Sequence, residues 1–584
     1  MNLINLLQII FFFFIFLLTI TVARKNLTYK GVQLMLIFTN FILLSSCCFF
    51  WSRYIVNYGT ENASIKLNSH NWVGLSYELN FKINSLNFLF LFLVSIIGFA
   101  TNIYIFNYFK FEERGENFVL LINWFIFSMI FLVIGNNFFT LIIGWELIGL
   151  TSFLLINFWK FKITTLSCSF KAFTFNKVSD VFLLISFCVL WNVYKVNNID
   201  TLLNLISMNT SNNTFLLKFS AVCLILCSSI KSAQIIGHLW LPDSMEAPVP
   251  ASSLIHSATL VSAGIYLLLK FQLLIQLTNL SEALFYLGSI TACYGGLVAA
   301  SQTDMKKLLA YSTISHCGFI VASISLNNFI ITIIYLYLHG LFKASTFFCA
   351  GSIIKYNNTQ DMRYMGMNKN QVFNIITLII SSINLGGLPF TFGYLYKQTF
   401  LTILTTTNYN LIPYGFCIIG LLCSIVYVFK LIYYSCFDFR KGNLHTIILY
   451  IQNNVIPAKY LFSQFSYIKV FAFFIIYSFS IITYIIMKYF LLKTHMFYYY
   501  SSEVIVNQFN FLGKYFYLKN YLVSIYYILF TAVIIVLILN SWRANYFFHD
   551  KQSIIINVYG WSIFLLFTHK ITNYLNFYLV SLIM

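Results

Sequence analysis

Charge is scarce in this chain: only 9% of its 584 residues are Asp, Glu, Lys or Arg, against 60% hydrophobic. Soluble domains usually carry about a quarter charged residues, so this supply cannot build a water-facing surface. Carboxylates are the scarcer sign, 16 against 35 Lys and Arg, giving a net charge of +19. The excess is not a nucleic-acid footprint, because the basic residues are spread singly through loops and helix ends without a basic patch. No C-x-x-C pair occurs among the twelve Cys, so the spacing suggests neither a zinc nor an iron–sulfur site. The thiols read instead as small apolar helix residues. Dinucleotide-binding, P-loop and redox motifs are also missing. The chain is therefore expected to hold no cofactor of its own, and any electrons or nucleotides are handled elsewhere.

What the chain does have is long apolar runs, reflected in a mean hydropathy of +0.81. Stretches of about 20 apolar residues span the ~30 Å hydrocarbon core as helices. Lipid offers the backbone no hydrogen-bond partners, and the runs do not alternate as barrel strands would. Helices are expected near 3–22, 31–51, 85–108, 118–135, 137–158, 165–192, 218–241, 251–275, 280–300, 306–326, 328–352, 372–404, 411–436, 468–493 and 521–541. A further apolar stretch at 553–584 is read as one more span or a helix along the membrane face. This makes an all-α polytopic membrane protein of about 14–16 transmembrane helices. Residues 1–22 lack the basic start and small-residue cleavage site of a signal peptide, and Arg24 and Lys25 close the run, so it reads as a first membrane helix. The longest polar connections, 52–84, 193–217, 437–467 and 494–520, are each too short for a catalytic domain. The 65 Phe and 40 Tyr suggest AT-biased codons, common in mitochondrial genomes.

Two helices look interrupted. One carries Lys231, then Gly237 and His238-Leu-Trp-Leu-Pro242-Asp243; the other carries Gly386-Gly387-Leu388-Pro389, Gly393 and Lys397. Broken helices line cavities, because Gly and Pro free backbone groups that only protein or water can satisfy. Matching breaks in two halves of a chain point to inverted repeats with sites near the midplane. The chain accordingly divides into N-terminal membrane helices 1–117, a first unit 118–275, a second unit 280–436, and C-terminal helices 437–584.

Six charges fall inside expected helices: Glu146, Asp180, Lys231, Lys306, Lys343 and Lys397, with His256 and His339 beside them. Each charge costs about 2.5–3.5 kcal/mol at a helix centre, so chance accumulation is a poor explanation and an internal hydrated path a better one. Competing structural readings exist. Lys218 and Lys270, at helix ends, are expected to reach the interface; Lys306 beside Lys307 and Asp304 has the same alternative, and His339 and Lys343 form an i,i+4 pair that could be purely structural. A proton carrier built on Lys needs a carboxylate that moves: at about 4 Å and an effective dielectric of about 20, the attraction is about 4 kcal/mol. Glu146 with Lys231 is the expected switch, Lys343 and Lys397 continue the path, and His256 and His339 act as relays.

At these residues the sequence resembles the chain 5 family of NADH-ubiquinone oxidoreductase, the distal antiporter-like subunit of respiratory complex I. The resemblance is carried by Gly144-Trp-Glu-Leu-Ile-Gly-Leu-Thr-Ser, Asn176-Lys-Val-Ser-Asp180, Lys231-Ser-Ala-Gln234, Trp240-Leu-Pro-Asp-Ser-Met-Glu-Ala-Pro-Val-Pro250, Leu254-Ile-His256, Thr303-Asp-Met-Lys306, His339-Gly-Leu-Phe-Lys343 and Leu388-Pro-Phe-Thr-Phe-Gly393, and covers about residues 80–435. It implies two inverted five-helix repeats, Glu146 and Lys231 as the pump pair, central-axis roles for Lys306, His339 and Lys343, and an exit-side role for Lys397. Asp180 and His256 match polar family positions nearer the intake side and the helix-7/8 region. The family often has a second His where Tyr335 stands, an Asp where Gln398 stands and a Gly where Ser179 stands; this chain departs at all three. Its long lateral helix is expected to be shortened, divergent or supplied by another chain.

The resemblance further implies proton pumping by a subunit of a redox-driven complex in the mitochondrial inner membrane, with a bacterial plasma membrane as the alternative. FMN and iron–sulfur clusters are then expected in partner subunits. The expected partners are other membrane-arm subunits, especially a neighbouring antiporter-like one, with phospholipid, protons and water, and no nucleic acid. The competing functions are an Mrp-type sodium/proton antiporter subunit and a membrane scaffold that has lost the pump.

Overall fold

The computed structural model of the chain describes residues 3–23, 28–56, 63–68, 78–109, 112, 114–208, 214–366, 372–388, 391–406, 411–437, 472–473 and 475–478. The helices expected at 521–541 and 553–584 lie outside these residues, as does nearly all of 468–493. Among the described residues, eleven helices are long and apolar enough to cross a membrane.

The apolar runs fold as expected into α1 (Leu3–Ala23), α2 (Tyr29–Val56) and α3 (Ser85–Tyr108). Between α2 and α3 the structure corrects the expected polar connection. β1 (Ala63–Asn68) and β2 (Glu78–Ile83) pair antiparallel, with Ala63 opposite Ile83 and Asn68 opposite Glu78. Both segments alternate apolar and polar residues, the period-2 pattern of a strand.

The next run is α4 (Gly115–Ile134), α5 (Phe138–Ile156), α6 (Ile163–Tyr194), the short α7 (Ile199–Met208) inside an expected connection, and α8 (Thr214–Lys231). After a break come α9 (Trp240–Asp243), a 3-10 turn at Ser244–Glu246, α10 (Val249–Ser257), α11 (Leu260–Lys270) and α12 (Gln272–Leu277). A second run follows: α13 (Ser281–Ser301), α14 (Met305–Ser325), α15 (Phe329–Asn357), α16 (Val372–Gly386), α17 (Phe392–Thr406) and α18 (Leu411–Ile432). With the short α7 set aside, each run is broken at its fourth helix, after α8 in the first and between α16 and α17 in the second. The span expected at 372–404 is therefore two helices of 15 residues each.

Both breaks have a local cause. α8 stops immediately after Lys231: Gln234 N–H donates to Ser229 O at 2.8 Å, five residues back, and Ala233 adopts φ +53°. A non-glycine residue in the left-handed region is strained, and such strain concentrates at working sites. The backbone then returns so closely that a Cβ on Gly237 would lie 2.7 Å from Ile230 Cα. In the second break Gly387 has φ +69°, and a Cβ there would lie 2.5 Å from Lys397 Cδ. Gly387→Ala is expected to cost about 1–2 kcal/mol for the left-handed backbone and to push Lys397 off its hydrogen bonds. A lower midpoint of thermal unfolding for the assembled variant is the expected result; an unchanged midpoint contradicts it.

A third break interrupts the helix expected at 251–275. Thr259 N–H donates to Leu254 O, five residues back, and Thr259 Oγ1 donates to the same carbonyl at 2.9 Å. This loosened turn sits three residues beyond His256. The core packs α13 against α14 and α18, α6 against α8, and α10 against α15. These contacts set the buried charges between helices.

Candidate functional site

The buried ionisable residues fall into two clusters. The first lies on α5, α6 and α8. Lys231, at the last turn of α8, is fully buried, with its Nζ 3.8 Å from Asp180 Oδ1 and 3.4 Å from Trp145 O. The ammonium also lies 5.0 Å from the centroid of the Trp145 ring, within cation–π range. Room for it exists because α5 passes at Gly149, where a Cβ would stand 3.5 Å from Nζ. Asn176 lies on the other side of that gap, and neither its amide oxygen nor its nitrogen finds a hydrogen-bond partner among the described residues. Buried polar atoms are normally satisfied by protein or by water, so this corner is a natural place for water.

Asp180 has a second cation: Lys177 Nζ stands 3.4 Å from its other carboxylate oxygen and also bonds Glu146. The order is Glu146, Lys177, Asp180, Lys231, alternating in sign. Burial changes sharply along it, from side chains 38% and 46% exposed at Glu146 and Lys177 to 7% and 1% at Asp180 and Lys231.

The second cluster joins α10, α14, α15, α17 and α18. His256 bridges two elements, with Nε2 3.4 Å from Ser244 Oγ and Nδ1 3.3 Å from Thr313 Oγ1. Lys306 is buried and donates to the carbonyls of Met245 at 3.2 Å and Ala247 at 3.1 Å, on the same turn that carries Ser244. Lys343 donates to Leu309 O at 3.1 Å and to Ser312 Oγ. Its i−4 neighbour His339 is buried, with Nε2 unpartnered among the described residues. Lys397 donates to Gly386 O at 2.8 Å, inside the second break, and to Ser424 Oγ at 2.7 Å.

All eight expected residues are thus placed, and two sequence expectations need correcting. Glu146 does not meet Lys231; its partner is Lys177, and it lies on a half-exposed face of α5. The carboxylate at Lys231 is Asp180. Lys270, expected to reach the interface, is buried and donates to Gly135 O at 2.6 Å and Tyr266 Oη at 3.2 Å. Sequence reasoning also missed two members. Lys177 sits inside the Asn176–Asp180 motif and could have been found by its i,i+3 spacing to Asp180. His316 on α14, within a Ser-rich run, is buried among the second cluster. Among the described residues no group of three or more His, Cys, Asp or Glu is placed to hold a metal ion.

Two helical runs broken at the same place, with a buried Lys at each break, define an antiporter-like integral membrane protein. Solved structures with this fold include a chain of the membrane-bound sulfane sulfur reductase, an archaeal respiratory membrane complex (TM-score 0.67, 16% identity, 81% of this chain and 97% of that one). A chain of the Mrp complex from Dietzia sp. DQ12-45-1b also shares it (TM-score 0.65, 18% identity, 91% of this chain and 62% of that one). Residues 135–423 match the family described as NADH:quinone oxidoreductase/Mrp antiporter, TM. NADH-ubiquinone oxidoreductase chain 5 of Paramecium tetraurelia is 40% identical over 453 residues, 74% of this chain and 78% of that one. The chain belongs to the NADH-ubiquinone oxidoreductase chain 5 family.

Proposed function

We propose that this chain translocates protons as a membrane subunit of an NADH:ubiquinone oxidoreductase, driven by electron transfer in other subunits. The observation that carries the reading is Lys231: a fully buried ammonium at the end of a broken helix, 3.8 Å from Asp180 and beside Asn176, whose amide has no hydrogen-bond partner among the described residues. A buried charge of this kind is expensive in a membrane and by default marks an ion path. The freed backbone groups of a broken helix can share that path with water.

In this reading Glu146, Lys177, Asp180 and Lys231 form the drive and intake end. Lys306, His256, His339 and Lys343 form the central axis, and Lys397 stands at the exit. The units 118–275 and 280–436 are the two repeats, each contributing one broken helix and one lysine at its break. FMN and iron–sulfur clusters belong to partner subunits, since the chain offers no motif for either.

The outer face of α5 and α6 supports a partner. Glu146 and Lys177 sit there among exposed Leu150, Val178 and Val181. Against bare lipid each charge would cost about 2.5–3.5 kcal/mol, so a neighbouring antiporter-like subunit is the fitting cover. The family relation and the AT-biased composition support the mitochondrial inner membrane as the site of this assembly.

Affinity purification of the tagged chain from its membranes tests the assignment. The expected result is a large assembly with NADH:ubiquinone reductase activity coupled to proton movement. A cation exchanger without flavin would favour the Mrp-type alternative, and an active assembly in which this chain's substitutions never alter pumping would favour a scaffold.

A further inference from the structure

His316 belongs to no motif used above, yet two other helices of the second cluster, α15 and α18, converge on its ring. Both nitrogens are engaged: Nδ1 with the Tyr335 hydroxyl of α15, and Nε2 with the Tyr427 hydroxyl of α18 at 2.9 Å. A neutral imidazole has one N–H and one bare nitrogen, and a tyrosine hydroxyl both donates and accepts. One tyrosine therefore donates to the ring while the other accepts from it, in either of two tautomers.

The ring has chemistry on both sides. Its centroid is 5.2 Å from that of His339, whose Nε2 is buried without a partner among the described residues. Lys343 lies one turn beyond His339. On the other side, Tyr427 is one turn from Ser424, which accepts from Lys397 Nζ at 2.7 Å. Tyr335 stacks at 3.5 Å between centroids on Tyr396, the residue before Lys397.

We propose that His316 is the proton-carrying group connecting His339 and Lys343 to Lys397, with the Tyr335 and Tyr427 hydroxyls as its two ports. A proton arriving at the bare nitrogen forms a new N–H bond and a transient imidazolium. The N–H on the opposite nitrogen breaks, its proton passes to that tyrosine oxygen, and the hydroxyl releases its own proton onward. One positive charge enters and one leaves; the ring ends neutral in the other tautomer and resets when the hydroxyls and ring reorient. Imidazole suits this role because its intrinsic proton affinity lies near neutral pH.

This inference rests on reading His339, Lys343 and Lys397 as a proton axis, and the test separates the two. Protons moved per NADH oxidised would be measured in sealed vesicles holding the assembled complex, for His316→Gln and Lys343→Ala side by side. Gln can hold one hydroxyl contact but cannot carry a proton. The expected result is that His316→Gln loses about tenfold or more of the proton movement through this subunit, seen as a reduced ratio that matches Lys343→Ala. A normal ratio in His316→Gln with a lost ratio in Lys343→Ala overturns the role of His316 and leaves the axis standing. Normal ratios in both overturn the axis, and the role of His316 with it. If His316→Gln does not assemble, Tyr427→Phe keeps the ring and removes only the hydroxyl at Nε2. A lowered ratio in that variant supports the proposal, and an unchanged one overturns it.

Discussion

Asp180→Asn is expected to reduce coupled proton movement by about tenfold or more, and Glu146→Gln by less than about fivefold. The ranking follows from which carboxylate meets Lys231. Asp180 stands 3.8 Å from the ammonium, and both side chains are almost wholly buried. At that separation and an effective dielectric of about 20, their attraction is about 4 kcal/mol, enough to control whether a proton is held or released. Glu146 forms its ion pair with Lys177, not with Lys231, and that pair is about two-fifths exposed. Removing Glu146 leaves Lys177 with Asp180 at 3.4 Å. Asn in place of Asp180 keeps the size and the polar atoms, so packing should survive while the counter-charge is lost. Measuring both substitutions in assembled complexes decides the order; a Glu146→Gln loss equal to or larger than that of Asp180→Asn would contradict it.

Most of this site was readable from residue types and spacing. Lys231 and Lys397 stood out as charges inside apolar runs, each beside Gly and Pro, and both sit at real breaks. The partner of Lys231 was not readable. Helix α5 is apolar nearly all round, so its pattern does not say which face turns inward. In the fold Gly149 faces Lys231, and Glu146, three residues earlier, turns to the outer face. That rotation is set by tertiary packing and has no signature in sequence. The same limit hid Lys270, whose position near a helix end suggests a snorkelling side chain until the Gly135 carbonyl appears beside it. His316 escaped for another reason. Tyr335 reads in isolation as the loss of a relay group, whereas in space its hydroxyl meets a histidine from a different helix, 19 residues away. The β1–β2 hairpin, by contrast, was present in the alternation of its two strands and was masked only by their polarity.

Lys231→Ala carries the largest expected effect, because the central claim is that protons pass through this one buried ammonium. The substitution removes a charge whose burial is costly, and Asp180 keeps Lys177 as a partner, so the variant should assemble. What it lacks is the buried ammonium at the α8 break that meets Asp180. The decisive measurement is the number of protons moved per NADH oxidised by assembled Lys231→Ala complex in sealed membrane vesicles, compared with wild type. The structure predicts a loss of about a hundredfold in proton movement through this subunit, seen as a reduced ratio. A wild-type ratio in a fully assembled complex would contradict the account.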